Sequence, residues 1–322
     1  MMKKRDDVYD TFWYFAYERQ NIWYKKLNGE KPPYTEDKIL QEYKFCNAYR
    51  VLDRVSQYML KNVIYNGKYY SPKDMLFRIL LFKIFNKEDT WEFLVASLGD
   101  ITLDNFSFKL YDELLQEIRK KGGKIYNDAY ISCANKAYGY ELKHQNHLAL
   151  LEEMFFKDDL YEKINKSSCM EDVFNILKSY PLIGDFMAYQ LATDINYSNI
   201  TNYSEDTFTI AGPGAKRGIE KCFEKFSSYE EVIKEMYNKQ EEEFKRLNLD
   251  FKYLGGRKLQ LIDIQNLFCE TDKYLREKRP DLKSNRVKIK KKYVPKPTKI
   301  EYVLPQKWNV KIWLNMKLKE EK

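Results

Sequence analysis

The stretch Tyr180-Pro181-Leu182-Ile183-Gly184-Asp185-Phe186-Met187-Ala188-Tyr189 decides the fold. Apolar residues at helical spacing run into it from Ser168 to Ser179 and leave it from Phe186 to Thr193. Between them Pro181 sets φ and Gly184 supplies backbone freedom. The chain turns tightly and starts a new helix with an acid, Asp185, in its first turn. Such a turn leaves backbone N–H groups unbonded at a helix N-terminus, where a phosphate can sit without any side-chain charge.

This is the layout of a helix-hairpin-helix, whose usual core is Leu-Pro-Gly-(Ile/Val)-Gly followed by a small residue in the second helix. Ala188 supplies the small residue, and Leu182 stands where the first glycine is usual. Ile183 and Gly184 are therefore read as DNA-phosphate contacts. Asp206 lies 22 residues beyond Gly184, within Glu205-Asp206-Thr207-Phe208-Thr209. The helix-hairpin-helix DNA glycosylases carry a Val-Asp-Thr-His-Val element at similar spacing, and its Asp is the essential carboxylate. Asp206-Thr207 resembles that pair, with Phe208 in place of the His. The resemblance implies a catalytic Asp206 that stabilises the cation left on deoxyribose or activates water. The alternative is that Asp206 caps the next helix.

Further along, Ile210-Ala211-Gly212-Pro213-Gly214-Ala215 reads as a compact turn. Gly212 and Gly214 there would let the backbone approach a phosphate or sugar. Lys216 and Arg217 follow directly and are grouped with the DNA contacts. The apolar helix Gln260 to Glu270 carries Gln260, Asp263 and Asn266 at i, i+3, i+6. Amides and a carboxylate on one face can read the Watson–Crick edge of a flipped base, which makes Gln260 and Asn266 substrate contacts and Asp263 a second catalytic candidate. A buried hydrogen-bond network tying helices together fits the same pattern.

Several of these stretches together resemble a known family: Glu18-Arg19, Tyr43-Lys44-Phe45-Cys46-Asn47 with Arg50, Asp53 and Arg54, Pro181 to Ala188, Ala211-Gly212-Pro213-Gly214, and Gln260 to Asp272. The chain resembles the DNA base hypermodification proteins. These comprise the helical domain of 5-hydroxymethyl-deoxyuridine DNA kinases and the related α-glutamyl/putrescinyl-thymine pyrophosphorylases. The resemblance spans roughly residues 10 to 280. It implies a glycosylase-like helical fold and action on 5-substituted pyrimidines in double-stranded DNA. The sequence contains no P-loop of the form G-x-x-x-x-G-K-[ST], so a nucleotide triphosphate site is not expected.

The rest of the chain sets bounds. Its 322 residues with 44% hydrophobic content can bury a substantial core, as one large domain or two intimate lobes with room for a cleft. Helical spacing recurs over Thr11 to Leu27, Ile39 to Ile64, Met75 to Phe85, Thr90 to Leu98, His147 to Phe156, Gly218 to Phe223, Tyr229 to Leu247 and Leu259 to Arg279. Thr35 is the expected cap of the second of these. A short strand pair around Tyr126 to Cys133 is the little β expected. The expectation is a mostly α, helix-hairpin-helix DNA-glycosylase-like fold over residues 1–280, followed by a basic extension over 281–322. In that extension Lys288, Lys290 and Lys292 would line one side of an extended strand and meet phosphates; a solvated tail is an equal reading.

Net charge is +8, from 56 Lys plus Arg against 48 Asp plus Glu. Five scattered cysteines form no C-x-x-C pair, and His144 and His147 are the only histidines. No disulfide framework, metal site or cofactor is expected, and the expected compartment is a reducing cytoplasm. No run of about 18 uncharged apolar residues exists to span a membrane. Three activities remain: N-glycosidic cleavage of a flipped, modified pyrimidine, with a role in defence against phage; substitution at the 5-methylene of a pyrophosphorylated 5-hydroxymethyl pyrimidine by an amine or amino acid; and non-catalytic binding of modified DNA. Cleavage is placed first, on the hairpin and the Asp-Thr element.

Overall fold

The computed structural model describes residues 2–128, 133–286, 289, 292–294 and 301–310. The chain forms two units: Met1–Asp53 together with Asp206–Lys322, and the intervening Arg54–Glu205. The first unit begins with β1 (Lys3–Lys4), α1 (Asp6–Leu27) and α2 (Lys38–Glu42), then a 3-10 turn at Arg50–Leu52. The second holds α3 (Arg54–Tyr58), which runs into a π turn at Met59–Ile64, then α4 (Pro72–Phe85), α5 (Glu88–Leu98), α6 (Phe108–Lys120), α7 (Lys143–Glu152), α8 (Leu160–Asn165), α9 (Met170–Lys178) and α10 (Asp185–Asn196). The chain then completes the first unit with α11 (Pro213–Cys222), β2 (Phe223–Lys225), α12 (Tyr229–Arg246) and α13 (Leu261–Lys278). The antiparallel β1–β2 pair is the only sheet among the described residues, so the protein is mostly α. Of the strand pair expected near Tyr126, residues 129–132 lie outside the described ones, and the described residues around them form no strand.

Apolar stripes on α1 and α13 make the core of the first unit. Phe12 meets Phe268 with ring centres 4.5 Å apart, and Trp13 meets Phe244 of α12 at 5.1 Å. The tightest approach is between α11 and α13. A Cβ on Gly214 would fall 2.2 Å from Cys269 Sγ, and one on Gly218 would fall 2.1 Å from the Phe268 carbonyl oxygen. The glycines four apart thus let two helix backbones touch. Gly212 is the N-cap of α11, and Pro213 takes its first position. The compact turn expected over 210–215 is a helix start, and Gly214 is needed for helix packing.

In the second unit α4 is buried on nearly every side. Its two buried cations therefore need partners. Arg78 donates to the carbonyls of Val63 and Ile101, and Lys83 pairs with Asp194 of α10 at 3.1 Å. His144 and His147 are buried and turn to different partners, Asp112 and the Tyr126 hydroxyl, each at 2.7 Å. Burial pushes the His147 imidazole down to about 3.

The α9–α10 turn forms where expected, but the strain falls on a different residue. Gly184 has φ −86°, which any residue adopts, whereas Leu182 takes φ +69°. A non-glycine residue there costs about 1–2 kcal/mol. Burying the Leu182 side chain, 8% exposed, returns about 1.5–3 kcal/mol, so leucine is tolerated where the hairpin pattern has glycine.

One expected helix breaks. The run Ile39 to Ile64 holds α2, the 3-10 turn at Arg50–Leu52 and α3 with its π turn, and residues 43–49 are extended or bent after α2. Asp37, not Thr35, caps α2, accepting from the Leu40 amide at 3.0 Å. Thr35 instead donates to Glu18. The sequence reading assigned no helix to α6, whose fully buried stripe is only Tyr111 and Leu115.

Candidate active site

The broken stretch is where polar side chains of the first unit converge. Arg19, buried on α1, donates from Nε to the Cys46 carbonyl at 2.8 Å, and from Nη2 to the Phe45 carbonyl and Asn47 Oδ1 at 3.3 and 3.2 Å. The amides of the same loop go to two carboxylates. Cys46 N donates to Glu270 at 2.9 Å, and Asn47 N to Asp53 at 2.8 Å. The Asn47 side chain closes the loop on the Leu52 carbonyl at 2.7 Å. A helix would need these same groups for itself, which is why the apolar pattern fails here.

Two acids on neighbouring amides, beside a guanidinium, form an unusual electrostatic setting. Burial pushes the Asp53 carboxyl up to about 6, the Glu270 charge adds to the rise, and the Asn47 amide, the Cys46 thiol and Arg19 oppose it. Burial also raises the Cys46 thiol well above its ordinary value and the Cys269 thiol to about 11, so neither is a ready nucleophile. Asn266, Cys269, Glu270 and Lys273 share one face of α13 at i, i+3, i+4, i+7, and Lys273 Nζ sits 2.5 Å from Glu270. Burial works against the Lys273 charge, but Glu270 outweighs it and the ammonium is held above its usual range. Asn266, Cys46, Asn47, Asp53, Cys269 and Lys273 all keep partial exposure, so the cluster reaches solvent. Gly214, on Cys269, brings the first turn of α11 to its edge.

The residues expected from sequence distribute as follows. Asn266 lies on that face. Asp263 is buried and accepts from the amides of Arg50 at 2.7 Å and Gln260 at 2.9 Å, closing a capping box with Gln260 at the start of α13. Asp206 is exposed in a loop, accepts from the Tyr237 hydroxyl at 3.3 Å, and does not cap α11. Lys216 is exposed, its ammonium 5.2 Å from the Tyr229 ring centre. Arg217 faces inward to the buried Asp272 at 3.1 Å, which Lys221 and Arg276 also bind. Lys292 pairs with Glu42. Lys288 and Lys290 lie outside the described residues. Ile183 and Gly184 belong to the other unit; the Ile183 side chain is buried, and open space surrounds the position of a Cβ on Gly184.

Sequence reasoning gave no role to Asp53, Glu270 or Lys273. Arg19, Cys46-Asn47 and Asp53 stood among the motifs that carried the family resemblance, and the helical spacing of Asn266, Glu270 and Lys273 was a usable signal. Among the described residues, no group of three or more His, Cys, Asp and Glu is placed to hold a metal ion.

Residues 6–284 match the family described as 5-hmdU DNA kinase, helical domain. The chain belongs to that family. It is also similar to a 5-hmdU DNA kinase of Bacillus phage SP10, 28% identical over 288 residues, which are 83% of this chain and 45% of that protein. The chain thus matches less than half the length of that relative. No solved structure matches it. The hypermodification family expected from the motifs is therefore the right one, and the hydrolytic glycosylase is a wrong expectation. The relative is named for a kinase, which transfers a group to DNA, and nothing matched is named for N-glycosidic cleavage. The Asp-Thr element misled because two residues at a loosely fixed spacing occur in many loops. None of the described helices is long and apolar enough to cross a membrane.

Proposed function

We propose that this chain modifies 5-hydroxymethyl pyrimidines in double-stranded DNA by group transfer at the 5-methylene, the Asp53–Glu270 cluster being the reacting site. The carrying observation is Asp53, a carboxyl raised to about 6 in a part-open cluster, where a base useful at neutral pH is poised. Family membership supports modified DNA as the substrate. In the reaction this site suits, an amine attacks the 5-methylene of a pyrophosphorylated base. The C–N bond forms as the C–O bond breaks, pyrophosphate leaves with the bonding electrons, and Asp53 takes the proton from nitrogen. Glu270, bound by the Cys46 amide and Lys273, would hold the loop and the ammonium of Lys273 in place beside Asp53. Lys273, Lys216 and the first-turn amides of α11 would receive the pyrophosphate. Asn266 would meet an edge of the base, and the α9–α10 turn at Ile183-Gly184 would hold a DNA phosphate. Displacement of pyrophosphate needs no nucleotide triphosphate on this chain, and a DNA substrate puts the work in the cytoplasm.

The test is nucleoside mass spectrometry on DNA bearing the pyrophosphorylated base, with amines supplied. Asp53→Asn should lower product formation by at least ~100-fold while DNA binding stays within a few-fold. In the unaltered chain the rate should rise with pH through about 6 as Asp53 loses its proton. Full activity in Asp53→Asn would remove the carboxylate from the mechanism.

A further inference from the structure

In the second unit one aromatic side chain stands further into solvent than any other described there, while its neighbours are tied down. Tyr69 is 92% exposed, more than any other large apolar residue described. It lies in the short connection between the π turn at Met59–Ile64 and α4. Gly67 turns the chain with φ +83°. The Lys68 amide donates to Asn66 Oδ1 at 3.1 Å, and Asn66 Nδ2 donates to the Tyr70 hydroxyl at 3.0 Å. Tyr70 in turn donates to Asp100 at 2.7 Å, and Lys68 Nζ reaches the other oxygen of the same carboxylate at 2.9 Å. Beneath, the Arg78 guanidinium lies 3.8 Å from the Tyr70 ring centre and is itself held by two buried carbonyls. Ser71, on the far side, caps α4.

An exposed tyrosine in a loose loop needs no explanation. A tyrosine whose neighbours on both sides are anchored is different, because its backbone has already lost the freedom that binding would otherwise remove. The ring offers a flat π face at the tip of a braced loop. Lys68 beside it supplies a cation, and the Asp100 carboxylate that Lys68 reaches is also bound by Tyr70. That combination suits a stack of bases flanked by phosphate better than a protein surface, which would call for more apolar area than one ring.

We propose that Tyr69 is a stacking wedge: it inserts against a base of the bound DNA and stabilises the locally unstacked state that a reaction on a base requires. The inference rests on the DNA reading above and adds to it a contact on the second unit, outside the cluster that holds the reacting site. Because Tyr69 is exposed, replacing it leaves the fold intact. The experiment uses the full chain and a duplex with a 5-hydroxymethyluracil next to 2-aminopurine, whose fluorescence rises on unstacking. Wild type should bind and raise the signal. Tyr69→Ala should bind roughly 5- to 100-fold more weakly, the alanine cost of one base stack, and abolish the rise. Tyr69→Phe should restore both. The salt dependence of binding should not change in Tyr69→Ala, since no phosphate contact is lost, whereas Lys68→Gln should flatten it by up to ~0.9. Unchanged affinity and fluorescence in Tyr69→Ala would overturn the wedge and leave the DNA reading standing. A wild-type chain that binds no DNA would overturn both.

Discussion

At the scale of the residue, Asp53 is costly to the fold, and the cost can be measured. An aspartate titrates near ~3.9 in an unfolded chain and at about 6 here. Between those values the folded chain binds more protons than the unfolded one, so stability falls as pH rises through that window and stays lower above it. A two-unit shift corresponds to at most about 3 kcal/mol. Asp53→Asn keeps an oxygen for the Asn47 amide and has no proton to lose. It should be more stable than the unaltered chain at pH 7.5, by on the order of 1–3 kcal/mol, and show no such advantage at pH 4. Denaturant titrations at the two pH values decide it: a gap that ignores pH means that the Asp53 proton is not linked to folding. The residue was visible in the sequence as part of a motif, but its role was not, because its setting comes from Asn47 and Cys46, which the loop folds back, and from Glu270, more than two hundred positions away. Asp263 shows the opposite failure. Its spacing from Gln260 fits a shared helix face and a capping box equally well, and only the location of the helix start separates them.

At the scale of the element, two kinds of glycine contrast. Gly218 carries the closest backbone approach in α11–α13, so Gly218→Ala must push against the Phe268 carbonyl, a group that cannot swing away. A loss of about 3 kcal/mol or more is expected in thermal or chemical unfolding. Gly184 faces open space, so Gly184→Val should leave the fold within about 1 kcal/mol of wild type and weaken binding to every DNA sequence alike, as a blocked phosphate contact would. Intact DNA binding in Gly184→Val would detach the α9–α10 turn from DNA. Most helices were legible from apolar spacing and caps: α1, α4, α5, α9, α10, α12 and α13 lie within a few residues of their expected spans apart from an earlier start to α1. What was not legible is the interruption at 43–53, where Arg19 and two carboxylates claim the backbone groups that an apolar pattern would have given to a helix. α11 was read too short because a Gly-Pro-Gly string reads as a turn from sequence, while in the fold Gly212 and Pro213 are the cap and first position of a helix and Gly214 makes room for its partner.

At the scale of the whole molecule, the segment beyond the family match returns to the first unit. Tyr293 N donates to the Glu42 carbonyl at 2.8 Å, the Tyr302 ring lies 4.8 Å from Trp23, and the Arg257 guanidinium sits 3.9 Å from the Trp308 ring centre. Ending the chain after residue 284 should therefore lower stability by about 1–3 kcal/mol, the sum of one aromatic pair and one cation–π contact, and shift the Trp23 fluorescence. Identical unfolding curves for the two lengths would make the segment a bystander. A further consequence lies in how the first unit is assembled from two segments that flank the second. On a ribosome α1 is made before the second unit, with Phe12, Trp13 and Trp23 needing cover, yet the helices α11, α12 and α13 begin only at Pro213, 213 − 27 = 186 residues after Leu27. At roughly 5–20 residues per second that is a wait of about 10–40 s, taken up by the synthesis of the second unit, which is complete only at Glu205, just before α11 begins. The nascent chain thus carries one adhesive helix awaiting its partners for as long as the second unit is being made. In a cell making it quickly, yield should be limited by what shields those aromatic rings in the interval, so slower translation or a chaperone that holds α1 should raise soluble product without altering the finished protein's stability.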